Sequence, residues 1–106
     1  MPVEVTVYGF DGKPVPRAQV GAAPDTWDTL MTTIHATTDE RGKATVVLRP
    51  GLQYYVDATV DLPDLTQACA EPVPVDAGAV RGPLQLLLTH HFGNCMQFAH
   101  RRERKP

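Results

Sequence analysis

Four side chains able to ligate a transition metal fall within eleven residues, in the pattern His90-His91-x-x-x-Cys95-x-x-x-x-His100. Imidazole and thiolate are donors that zinc and copper accept. The spacing works against a shared ion, because adjacent residues of a strand project to opposite faces and His90 and His91 then diverge. Neither a Cys-x-x-Cys clamp nor a His-x-x-x-His helical pair accompanies them.

Cys69 and Cys95 are the two cysteines of the chain. Bonded, they would close a loop of roughly 25 residues and contribute about 3 kcal/mol through the entropy removed from the unfolded chain. Unbonded, they would be two independent thiols, one buried and one reactive. A nucleophilic triad can be written from a threonine, His35 and Asp57, yet the chain contains no serine and no Gly-x-Ser-x-Gly motif, so no enzyme is expected. The carboxylate pairs Asp25/Asp28 and Asp57/Asp61 lack the dense Asp/Asn-Gly loop of a calcium site and read as solvated loop and outer-strand residues. No cofactor is expected. Trp27, in a connection between Asp25 and Asp28, and Tyr8 and Tyr55, on outward strand faces, are the candidates for an aromatic recognition patch toward a protein or a carbohydrate. Trp27 folded back over the end of the core is the equal alternative.

The elements that must position these residues are strands. With 106 residues the chain fits one core, and ten prolines with eight glycines are more than a helical protein of this length tolerates. A formal charge of −2 gives no global pull toward nucleic acid or anionic lipid. Residues 99–106 form the one dense basic stretch and read as a solvated, frayed tail, leaving 1–98 as a single domain. No apolar run approaches the ~18 residues that cross a bilayer, and 2–10 alternates where a signal peptide would carry an apolar block.

The period is two nearly throughout. Val3, Val5 and Val7 share one face, and Asp11-Gly12 within Phe10-Asp11-Gly12-Lys13 makes a hairpin turn that sets the first strand pairing. Strands are expected over 17–22, with Ala18, Val20 and Ala22 inward, over 31–38 and over 43–49, the last two joined by a turn closed on Gly42. The strongest alternation, 52–60, predicts the central strand. Residues 64–71 read as a loop or one helical turn, Pro72-Val73-Pro74-Val75 as an edge segment, and 84–89 as a final strand. Together these predict an all-β fold, a small antiparallel β-sandwich of seven strands, within a range of six to eight. Exposed edges of such a sheet invite pairing with a second copy.

The residues also carry a resemblance. Val5-x-Val7-x-x-x-Asp11-Gly12-Lys13-Pro14-Val15-Pro16-x-Ala18-x-Val20, then Thr37-Thr38-Asp39-x-x-Gly42-Lys43-Ala44, then Arg49-Pro50-Gly51-x-x-Tyr54-x-Val56-x-Ala58, resembles the carboxypeptidase regulatory-like domain family. The match runs well over 3–60 and loosely beyond. It implies a prealbumin-like, Ig-like sandwich serving as a non-catalytic structural or interaction module of an exported, bacterial or cell-surface protein. An extracytoplasmic setting would favour the Cys69–Cys95 bond. The rival reading is a small metal- or ligand-binding protein using His90, His91, Cys95 and His100. Enzymes of related sandwiches fit poorly: Glu4 and Thr6 stand where hydroxyisourate hydrolases place a histidine, and the adjacent pairs Tyr54/Tyr55 and His90/His91 split across a sheet where intradiol dioxygenases converge theirs on iron.

Overall fold

Alternation of apolar and polar residues produces seven strands: β1 (Pro2–Tyr8), β2 (Gln19–Pro24), β3 (Ile34–Thr37), β4 (Lys43–Val47), β5 (Gln53–Asp61), β6 (Gln67–Asp76) and β7 (Leu84–Phe92). The structure, a computed structural model, describes residues 2–24, 33–63, 66–79 and 82–92, and these contain no helix. Among them no helix is long and apolar enough to cross a membrane. Trp27, Cys95, His100 and the basic tail lie outside the described residues.

The strands form one sheet in the order β3-β2-β5-β6-β7-β1-β4. β7 carries the sheet from one half to the other. Its first residues pair with β1, Val5 opposite Leu84 through Tyr8 opposite Leu87, whereas its later ones pair with β6, Ala70 opposite Leu88 through Gln67 opposite Phe92. Val3, Val5, Val7, Val46 and Leu48 share one hydrophobic core with Val20, Ala22, Tyr54, Val56 and Ala58, and Leu86 and Leu88 of β7 belong to it as well. The inward residues expected from the alternation on 3–7, 18–22 and 44–48 are all in this core.

The sheet is mixed, not purely antiparallel, because β1 and β7 run parallel. The turn after β1 forms as its residues dictate. Gly12 takes φ +79°, its N–H donates to Gly9 O, and Asp11 Oδ1 accepts from Lys13 N. The pairing it sets is only a stub, however: Tyr8 bridges Pro14, and Val15 N–H donates to Val7 O. β1 already has β4 on one side and β7 on the other, so β2 crosses to pair with β5 and β3. Arg17, at φ 60°, redirects the chain there.

The two ends of the sheet are drawn together at Thr38, which is buried. Its hydroxyl donates to Val15 O at 2.7 Å and accepts from Ala18 N at 2.8 Å, and its own N–H donates to Ala18 O at 2.9 Å. The following turn closes on Gly42 at φ +74°, with Asp39 Oδ1 accepting from Arg41 N and Lys43 N.

Two further readings are corrected. Residues 67–71 belong to β6, and they hide as a strand because Ala68, Cys69 and Ala70 are all buried across a register shift that erases the alternation. β5 is interior, between β2 and β6, but the middle place in the order belongs to β6. The edge reading of the prolines survives locally: Val73 and Pro74 pair with β5, while β7 pairs with β6 only as far as Ala70. The missing proline N–H groups fall in the half-strand that needs them least.

Candidate functional site

A polar depression lies on the outer face of the β3-β2-β5 half of the sheet. Gly21 is its floor. In register, Gly21 stands opposite His35 on β3 and opposite Asp57 on β5, so a histidine and a carboxylate flank a position without a side chain. A β-carbon on residue 21 would lie 2.9 Å from Asp57 Oδ1, 3.8 Å from Thr33 Cγ2 and 3.9 Å from His35 Nδ1. Asp57 therefore leans over bare backbone that any other residue would occupy. Gln19, Ala23 and Thr59 complete the lining of a shallow space of about 240 Å³.

β2 is paired on both sides, and so is β5. The ladder between β5 and β6 shifts register between Val56 and Ala58, so Asp57 has a register partner on β2 and none on β6. A second depression, of about 230 Å³, is lined by Gln53, Tyr54, Tyr55, Pro74, Val75 and Asp76. The two adjoin, since Ala23 of the first is the register partner of Tyr55 of the second. Tyr55 is half-buried, whereas Tyr54 is buried with its hydroxyl accepting Arg49 N–H at 2.9 Å. Among the described residues the linings of the two depressions include Asp57 and Asp76 and neither lysine nor arginine.

The written triad is thus partly assembled, with His35 and Asp57 brought to one depression between Thr33 and Thr59.

Other candidate residues are dispersed. Tyr8 ends β1 in register with Leu87, which is 51% exposed, three places from β5 in the sheet order, so Tyr8 and Tyr55 do not form one patch. His90 and His91 occupy consecutive β7 positions opposite Cys69 and Ala68. Among the described residues no group of three or more histidine, cysteine, aspartate or glutamate side chains is placed to hold a metal. Asp57 and Asp61, four positions apart on one strand, are separated by about 13 Å and cannot share a cation; Asp61 instead accepts from Gln67 Nε2 at 2.9 Å.

Cys69 stands opposite Thr59 on β5 and His90 on β7. It is fully buried yet is not part of the core cluster that holds its neighbours Ala68 and Ala70, and no free cysteine is found among the described residues.

Sequence reasoning passed over Gln19, Thr33, Thr59 and Gly21. The usable signal was Gly21 itself, since a lone glycine inside an alternating strand marks a place where something approaches the backbone closely.

No family model matches the chain, and neither a curated protein nor a solved structure does.

Proposed function

We propose that the chain is a non-catalytic β-sandwich module of an exported or cell-surface protein, of the carboxypeptidase regulatory-like kind, with a structural and recognition role. The observation that carries this reading is the outward depression over Gly21, a surface lined by Gln19, Thr33, His35, Asp57 and Thr59. The residues behind the family resemblance support it through their work in folding: Gly12, Gly42 and Gly51 all take positive φ, Ala18 is fully buried, and Tyr54 ties down Arg49.

Export goes with a Cys69–Cys95 disulfide. Full burial of Cys69 outside the core cluster supports a covering segment, and Cys95 follows the last β7 residue by three positions, within reach of a short return over the sheet. A bonded Cys95 has no thiolate to give a metal, so this reading and metal binding by His90, His91, Cys95 and His100 exclude each other. The partner is a protein or a carbohydrate. Self-association through β3 or β4 would need these edges free; β3 has four residues and β4 exposes Lys43, both features that discourage edge pairing. Light scattering over a concentration series decides that point.

Thiol titration under denaturing conditions, with metal analysis of untagged protein, tests the proposal. No titratable thiol and no bound metal is the expected result. Two thiols with stoichiometric zinc or copper, lost in His91→Ala, would replace it with the metal-binding reading.

A further inference from the structure

We infer that Arg17 is a docking residue for a carboxylate of a protein partner. The inference rests on the reading of the chain as a recognition module and names a contact outside the lining of the Gly21 depression.

Arg17 N–H donates to Thr38 O at 3.1 Å and Thr38 N–H donates to Ala18 O at 2.9 Å, so Arg17 and Ala18 together stand opposite Thr38. This is the bonding of a β-bulge whose first residue is left-handed, a place that glycine ordinarily fills. Here it is arginine at φ 60°, the one non-glycine residue with positive φ among the described residues. A side chain in that conformation costs stability that glycine would not.

Nothing inside the fold offsets the strain. Arg17 is exposed, and no hydrogen bond or ion pair of its guanidinium is found among the described residues. Ala18 N–H, which the bulge withdraws from the ladder, donates to Thr38 Oγ1 at 2.8 Å, so both amides of the bulge are satisfied within the fold. The strained residue therefore acts through its side chain, on something outside the molecule.

The chemistry of that partner follows from the guanidinium and its surroundings. A planar fork of N–H donors matches the two oxygens of a carboxylate or a phosphate. On the turns stitched to this end of the fold, Lys13 and Arg41 are accompanied by Asp11, Asp39 and Glu40, and Lys43 is paired with Glu4 at 3.7 Å. Charges of both signs are interspersed there, without the cationic field that gathers a polyphosphate or an anionic membrane. One carboxylate, gripped by two parallel N–H···O bonds, fits such a balanced surface. Aspartate and glutamate side chains of a protein supply it.

The test is selection of displayed random heptapeptides on the folded full chain, with subtraction on Arg17→Gly. Peptides retained by the parent and lost on the variant are expected to carry aspartate or glutamate. A synthetic copy of the most enriched one should shift the Arg17 side-chain N–H signal and the Ala18 amide in NMR. It should bind Arg17→Gly and Arg17→Lys about tenfold or more weakly, the loss of a charge-assisted bidentate contact. Arg49→Gln, beyond the other end of β4, should leave it unchanged. In urea unfolding Arg17→Gly should raise the folding equilibrium constant about threefold or more, since glycine removes the left-handed penalty. A glycine variant less stable than the parent would place the work of the side chain inside the fold and overturn the inference. So does a selection that yields no acidic peptide dependent on Arg17. Movement of the Arg17 signals by inorganic phosphate or phosphatidylserine vesicles, and not by the peptide, overturns it as well. None of these results touches the module reading, which stands or falls on thiols and metal.

Discussion

Gly21 and Asp57 are register partners on adjacent strands, and Asp57 Oδ1 stands 2.9 Å from the point a β-carbon on residue 21 would occupy. The carboxylate rests where a side chain is missing, so the glycine leaves the room that the acid occupies.

Gly21→Ala should therefore displace the Asp57 side chain while leaving the fold intact. Alanine regains about 0.5–1 kcal/mol over glycine in a strand, which offsets much of the contact. Net stability in urea is expected to change by less than about 1 kcal/mol, with the NMR signals of Asp57, His35 and Thr33 shifted. A loss of several kcal/mol with no movement of Asp57 would mean that the carboxylate is held by something other than the vacancy.

Gly42 faces a harder constraint than the other turn glycines. At φ +74° its β-carbon would lie 2.9 Å from Val7 O, Val15 N and Pro14 Cβ, whereas Gly12 and Gly51, at φ +79° and +85°, have open space there. Gly12→Ala and Gly51→Ala should each cost about 1–2 kcal/mol, the left-handed penalty alone. Gly42→Ala should cost more than either by at least about 1 kcal/mol, because backbone atoms must give way. Equal losses in thermal denaturation would contradict the close approach.

Thr38→Val keeps shape and removes the hydroxyl that serves Val15 O and Ala18 N. Two inward groups lose a partner, and a cost of about 2–4 kcal/mol is expected. Thr38→Ser should recover most of it. A valine variant as stable as the parent in chemical denaturation would show that this seam does not hold the sheet ends together.

Asp39 accepts hydrogen bonds from Lys43 N and Arg41 N, which hold its carboxyl below the usual 3.8. The lowered folded value means the ionised form is favoured by folding. Its contribution is full above 3.8 and is lost as pH falls through the folded value. The stability difference between the parent and Asp39→Ala should accordingly shrink on acidification into that window, measured by urea melts at a pH series. A difference independent of pH would remove the role of the charge.

How much of this was legible follows from what each residue answers to. Val3, Val5, Val7, Ala44, Val46 and Leu48 could be placed because one buried face imposes a period of two, and Gly12 and Gly42 because few residues tolerate positive φ. β6 was half hidden, since the register shift beside Cys69 buries three residues in succession. The parallel β1–β7 pair and the crossing of β2 are matters of which strand reaches which partner, and local alternation is silent on that. For the site, His35 and Asp57 were visible as separate residues 22 positions apart. That they share a floor depends on β2 lying between β3 and β5, a long-range fact whose one local trace is Gly21.

The parallel pairing of β1 with β7 has a mechanical meaning. Tension applied at the N-terminal end of β1 and the C-terminal end of β7 pulls the two strands in opposite directions along their shared ladder. The four register pairs from Val5–Leu84 to Tyr8–Leu87 are then loaded in shear, together and not one after another as in unzipping. A chain drawn taut between neighbours on either side would resist extension through this short clamp, and its yield force would be set by those few pairs.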